Sequence, residues 1–303
     1  MEFEFNDVLS ALANVRTEIP IIRPSTRMHL GGHDSTFFGP SYNFFDIQEF
    51  DPERDPPNQI IPALVSEDDD IILARKCIEQ REVRMLFLAD FSSSLDTGVN
   101  LLKRRLLLET VGFIGAAASR QQDPVGILGF TDKVVVDIHP RCGLNNFYYL
   151  LRCAYDFFDG YGGNKARSTD FFNGLDSLKK AYDKPCFVPV ISDFIGFEKI
   201  ITCPLFRFIK SRHELIFIFL DDPSEFSRNS GWGFLQVEDI ETGKSSIVSR
   251  RKLRKSDLDL RQKRRALRKE LRRMGIDSIV LEYGKHIKRL RRFFIMRQKT
   301  IRS

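Results

Sequence analysis

Val83-Arg84-Met85-Leu86-Phe87-Leu88-Ala89-Asp90-Phe91-Ser92-Ser93-Ser94 is the stretch on which the fold turns. An apolar run of this length, closed by a carboxylate and followed by hydroxyls, reads as a strand covered on both faces whose polar end emerges at a sheet edge. Residues 101–119 follow with helical periodicity, placing Leu102, Leu106, Val111 and Ile114 inward. Residues 125–130 form a second strand, and Thr131-Asp132-Lys133 is a tight turn into a third over 134–138. Helices fit 144–158 and 170–182, a fourth strand 187–193, a helix 199–210, a fifth strand 215–220 and a sixth 276–281. This alternation predicts an α/β fold with a doubly wound, mostly parallel six-stranded sheet.

Outside that core the pattern changes. Residues 1–80 lack sustained α/β alternation: a short helix fits 5–15, then Pro20, Pro24, Gly31, Gly32, Gly39 and Pro40 punctuate turns and short strands. They read as a small N-terminal accessory β region attached to a main domain over 81–303. Residues 231–249 read as an inserted hairpin, with Phe234-Leu235-Gln236-Val237-Glu238-Asp239 and Ser245-Ser246-Ile247-Val248 flanking a Gly243 turn. A basic amphipathic helix fits 256–274, with Leu260, Leu267, Leu271 and Met274 on one face.

With 42% hydrophobic and 29% charged residues in 303, the chain can bury a sizeable core, and disorder is not the default. It has no apolar run of the ~18 residues that a membrane span needs, and its first seven residues are acidic where a secretory leader is basic. A cytoplasmic protein, at most peripheral at a membrane, is the simplest reading. Five cysteines without a Cys-x-x-Cys pair suit neither a disulfide framework nor a zinc knuckle. Residues 250–303 hold 21 Lys/Arg against 5 Asp/Glu, and the rest of the chain 26 against 36. That polarity steers an acidic partner toward one end without saying which kind. No aromatics interleave the basic run from Arg250 to Lys255, so a nucleic-acid partner is not expected. Arg289, Arg291, Arg292, Phe293 and Phe294 suit a membrane surface in composition, but the segment is too short for a stable anchor.

Ligands of open parallel sheets bind at the carboxyl ends of strands, above all where strand order reverses. Asp90 and Asp193 both fall at such ends. Ser92 and Ser94 follow Asp90 at alternate positions, so three oxygens can converge on one point. Thr169, immediately before a helix, can add a fourth. The set is all oxygen, with neither His nor Cys, which suits a hard ion such as Mg2+, or Mn2+ or Ca2+ in its place. A protein partner's acidic side chain can then complete the shell. The same residues also fit plain helix caps, and Ser168, Thr169 and Asp170 are all candidate N-caps of the helix that follows. His29 and His33 are four apart, but Gly31 and Gly32 between them argue against a metal-binding helix.

The Asp-x-Ser-x-Ser, Thr and Asp elements resemble the metal-ion-dependent adhesion site (MIDAS) of von Willebrand factor A domains. The resemblance is closest to the bacterial DUF58 family, which carries such a domain and is associated with MoxR-type AAA+ ATPases. Gly32-His33-Asp34-Ser35 with Gly39, Glu49-Phe50-Asp51, Ile191-Ser192-Asp193-Phe194, Asp239-Ile240-Glu241-Thr242-Gly243 and Phe293-Phe294 before Arg297 look like family features. Arg54-Asp55-Pro56-Pro57 departs from the family's Arg-x-x-Asp-Trp-like element. The resemblance implies a metal site formed by Asp90, Ser92, Ser94, Thr169 and Asp193. It further implies a non-enzymatic adaptor that acts with a MoxR-like ATPase in assembly or cofactor insertion, since the chain has no Gly-x-x-x-x-Gly-Lys-Ser/Thr loop of its own. Two other readings stay open: a metal-dependent phosphoester hydrolase, because acidic strand ends also build such sites, and a metal-free interaction scaffold.

Overall fold

The computed structural model describes residues 3–13, 44–52, 60–61, 72–77, 84–96, 102–160, 169–197, 201–222, 234–238 and 245–302. His29, His33, the glycine/serine segment 32–35 with Gly39, residues 54–57, the loop 162–168 and the turn 239–243 lie outside the described residues.

The chain divides into two compact units, residues 23–82 and residues 1–22 with 83–303. In the smaller unit, β1 (Phe44–Glu49) pairs antiparallel with β2 (Leu73–Cys77), with a bulge between Phe44 and Asp46. An isolated bridge from Ile60 to Ala74 extends the pairing.

In the larger unit a six-stranded sheet is built from β3 (Met85–Asp90), β4 (Val125–Phe130), β5 (Val134–Arg141), β6 (Phe187–Ser192), β7 (Glu214–Asp221) and β10 (Asp277–Glu282). Its order is β10-β7-β6-β3-β4-β5, parallel except for the β4–β5 hairpin. The apolar runs behave as two-faced strands. Met85, Phe87 and Ala89 enter one core, together with residues of α1 (Phe5–Ala13), α2 (Leu102–Arg120), α3 (Leu144–Gly160) and α7 (His286–Arg302). Leu86 and Leu88 enter the other, with α4 (Phe171–Ala181), α5 (Pro204–Arg212) and α6 (Arg250–Arg273). A separate hairpin, β8 (Phe234–Glu238) with β9 (Ser245–Ser249), stands where the inserted hairpin is expected.

Helix starts are set by caps that the apolar pattern does not report. Helix α6 begins at Arg250, six residues before the expected 256, because Ser249 accepts a hydrogen bond from the Lys252 amide. Helix α5 begins at Pro204 rather than 199, behind the Cys203 cap. Helix α7 is not foreseen by the sequence pattern. It buries Leu290 and Phe294, and Phe293 packs on the same core, so that aromatic pair faces inward. Its Arg297 bonds Glu214 and, at 2.9 Å, Asp277, fastening it to the amino ends of β7 and β10. The mostly apolar α2 carries a charge cluster: buried Glu109 pairs with Arg105 at 2.7 Å, and its other carboxylate oxygen lies 2.8 Å from His286 Nε2 of α7.

Candidate metal centre

Strand order reverses between β3 and β6: β4 lies on one side of β3, whereas the chain returns later to put β6 on the other. Asp90 is the last residue of β3, and the register Ala89↔Ile191 sets it beside Ser192 at the end of β6. Two acidic strand ends therefore meet at the crevice that parallel sheets use for ligands.

The turn after β3 is shaped by its own side chains. Phe91 donates its amide to the Phe130 carbonyl at 2.7 Å, prolonging the ladder toward β4. Its ring rests on Gly129, where an added Cβ would stand 2.7 Å from the ring edge, so only glycine admits the aromatic there. The Ser92 amide donates to Asp90 Oδ1 at 2.9 Å, which curls the chain back over the carboxylate. A 3₁₀ turn, Ser93–Asp96, follows. Ser92 Oγ and Ser94 Oγ then lie 2.9 Å apart, as convergent hydroxyls should.

The turn after β6 closes the other side. Ser192 Oγ donates to Asp90 Oδ2 at 2.7 Å and accepts from the Phe194 amide at 2.9 Å. Phe194 adopts φ 56°, a left-handed conformation that costs a bulky residue about 1–3 kcal/mol. Its buried ring is locked among Phe171, Phe197, Phe217 and Phe219, at centroid distances of 4.4 to 5.9 Å, and this packing offsets the strain. The chain thus reverses directly after Asp193, whose Oδ1 accepts from the Ile195 amide at 3.3 Å. Lys103 of α2 places its ammonium 3.4 Å from Asp193 Oδ2, and both side chains are almost wholly buried. Arg264 of α6 donates to the Asp193 carbonyl at 3.1 Å and to Asp221 at 3.0 Å, bridging the ends of β6 and β7.

Thr169 arrives from a different direction. The Asp170 amide donates to the Thr131 carbonyl at 2.9 Å, which brings the Thr169–Asp170 junction to the end of β4, next to β3. Asp170 is the N-cap of α4, accepting from the Phe172 and Asn173 amides, and leaves Thr169 outside that role. Thr169 is half-buried there. Asp90, Ser92 and Ser94 thus share one turn, Asp193 stands at the adjoining strand end, and Thr169 stands at the rim of the next strand.

The electrostatics of the crevice are set by two neighbouring buried carboxylates and one buried ammonium, Lys103. Burial, with the neighbouring Asp193 charge, pushes the Asp90 carboxyl from 3.8 up to about 7, while hydrogen bonds from Ser192 and Ser92 partly oppose the rise. Two buried carboxylates among neutral hydroxyls make an all-oxygen donor set that fits a hard divalent ion. Among the described residues no group of three or more His, Cys, Asp or Glu side chains forms a cage. The set at the crevice contains two carboxylates and relies on hydroxyls for the rest. Ser192, Lys103 and Arg264 are absent from the sequence-derived set. The serine adjoins Asp193 in the quoted Ile-Ser-Asp-Phe stretch, and Lys103 stands in the basic first turn of α2, beside Arg104 and Arg105.

A family model described as "Protein of unknown function DUF58" matches residues 65–280. No curated protein matches the chain. Solved structures similar to it include the following two. One is a conserved hypothetical protein, BatB, from Bacteroides thetaiotaomicron, 12% identical, covering 73% of this chain and 100% of its own with a TM-score of 0.42. The other is an aerotolerance-related membrane protein from Bacteroides fragilis NCTC 9343, 10% identical, covering 71% and 99%, with a TM-score of 0.40. Among the described residues no helix is long and apolar enough to cross a membrane.

Proposed function

The chain belongs to the DUF58 family, and from that premise we propose that it is a non-enzymatic, metal-ion-dependent adaptor of the von Willebrand factor A type, binding an acidic side chain of a protein partner. The observation that carries this reading is the pair of buried carboxylates, Asp90 and Asp193, at the point where strand order reverses, with the Ser92 and Ser94 hydroxyls 2.9 Å apart beside them. Asp90, Ser92, Ser94 and Thr169 hold Mg2+, or Mn2+ or Ca2+, and Asp193 does so directly or through water. When bound, the ion supplies an electrophilic coordination position that a partner carboxylate fills. Ser192 keeps Asp90 oriented, because its hydroxyl is tied at 2.7 Å to the oxygen opposite the Ser92 amide. The family resemblance makes a MoxR-type AAA+ ATPase the working partner, supplying the nucleotide hydrolysis.

Pull-down of such an ATPase by the purified chain, with Mg2+ and with chelator, tests the reading. Retention is expected in Mg2+ alone and is lost in Asp90→Ala while its circular dichroism stays native. Equal retention by Asp90→Ala, or in chelator, rejects it. A metal-free scaffold is the second reading, and the buried Lys103–Asp193 pair favours it by providing a positive charge from the chain itself. Calorimetric titration of Mn2+ separates the two: a scaffold gives neither heat nor thermal shift.

A further inference from the structure

The Lys103 ammonium sits where a site built for a divalent ion would ordinarily have only negative charge. Lys103 is 1% exposed, stands in the first turn of α2 and lies 3.4 Å from Asp193. It also lines a cavity of about 280 Å³ at the carboxyl ends of β7 and β10. Asp221, Asp222 and Glu282 line the same cavity, as does Lys285. Lys103 therefore reaches Asp193 on one side and lines, on the other, a cavity walled by those carboxylates together with Leu102, Leu106 and Tyr283.

We infer that Lys103 is a resident counter-cation of the crevice, holding Asp193 in the absence of a divalent ion and swinging into the adjoining cavity when one enters. This deepens the metal-dependent reading above and rests on it. A lysine stem has four rotatable carbons, so its head can move several ångströms while α2 stays packed. The cavity has room for an ammonium and several waters, each of which takes about 30 Å³ in the liquid. Its carboxylates already carry partners, Asp221 with Arg264 at 3.0 Å and Glu282 with Arg289 at 2.9 Å, so the displaced ammonium joins an existing ion-pair network. Two consequences follow. With Lys103 in place, the crevice attracts a divalent ion with one negative charge fewer, and its affinity is set low. Displacement of Lys103, a side chain of α2, would couple occupancy of the crevice to the β7–β10 edge.

The test is calorimetric titration of Mn2+ into the full chain and into Lys103→Met and Lys103→Gln, with Asp90→Ala as the control and circular dichroism to confirm folding. Removing one unit charge a few ångströms from the ion is expected to tighten Mn2+ binding by about tenfold or more in both variants. Metal-free, the two variants should melt below the wild type, because Asp193 loses its counter-ion, and Mn2+ should raise their melting temperature more than it raises the wild type's. Unchanged or weaker binding in the folded variants, while Asp90→Ala abolishes it, overturns the role of Lys103 and leaves the metal site standing. Absence of binding by the wild type and both variants overturns the metal reading and this inference with it. Should Lys103→Met fail to fold, Lys103→Gln, which keeps a polar head, carries the comparison.

Discussion

Replacing Asp90 by Asn should stabilise the metal-free protein at pH 8 and do little at pH 4. The native Asp90 carboxyl titrates at about 7 against an ordinary 3.8, because burial and the Asp193 charge disfavour the anion. A folded-state pKa above the unfolded one contributes stability that is full below about pH 4 and is lost as pH rises through about 7. At about 1.4 kcal/mol per pH unit, that span amounts to roughly 4 kcal/mol. Asn has nearly the same shape, can still accept from the Ser92 amide and can donate to Ser192 Oγ, and it carries no charge to desolvate. The stability difference between variant and wild type should therefore grow by roughly 4 kcal/mol in favour of Asn between pH 4 and pH 8, on the order of 10 °C in melting temperature. Urea unfolding in chelator across that range measures it. A difference that stays flat with pH, or grows in favour of the wild type, would refute the reasoning that burial and the Asp193 charge hold the Asp90 carboxyl above its ordinary range. Mg2+ at pH 8 should restore the wild type and leave Asp90→Asn unmoved.

Other changes probe the supports of the crevice. Ser192→Ala removes the donor to Asp90 and the acceptor of the Phe194 amide, and urea unfolding should register a loss of about 1–3 kcal/mol, with Mn2+ binding weakened as well. Gly129→Ala sets a methyl 2.7 Å from the Phe91 ring, which should cost about 1–3 kcal/mol and weaken metal binding through the displaced Ser92 turn; calorimetry that finds wild-type affinity would detach Phe91 from the site. Glu109→Ala removes the carboxylate that accepts from Arg105 and should cost about 1–3 kcal/mol in chemical denaturation without changing Mn2+ affinity. Asp170→Ala deletes the cap of α4 and should cost about 1 kcal/mol, a modest shift in a thermal melt.

The sheet was legible because its central strands are buried on both faces, so nearly every residue from Met85 to Ala89 or from Leu215 to Leu220 had to be apolar. Helix limits were less so. Ser249 and Cys203 cap their helices through single side-chain contacts that no hydrophobic period encodes. Helix α7 escaped because its Arg and Lys residues mask a narrow stripe centred on Leu290 and Phe294. At the crevice, Asp90, Ser92 and Ser94 could be read together because they are local in the chain. Ser192 and Lys103 could not, since their roles come from register across β3 and β6 and from a helix that buries charge on its inward side. Burying a lysine runs against the usual preference, and the neighbouring Asp193 offsets its cost.

Crystals grown or soaked with Mn2+, with data collected near the manganese absorption edge, test the central claim most directly. One anomalous peak is expected at the carboxyl ends of β3 and β6, within about 2.0–2.3 Å of oxygens from Asp90, Ser92 and Ser94, with Asp193 in direct or water-mediated contact. Strong anomalous signal elsewhere with none in that crevice, from crystals diffracting well enough to place it, would contradict the account.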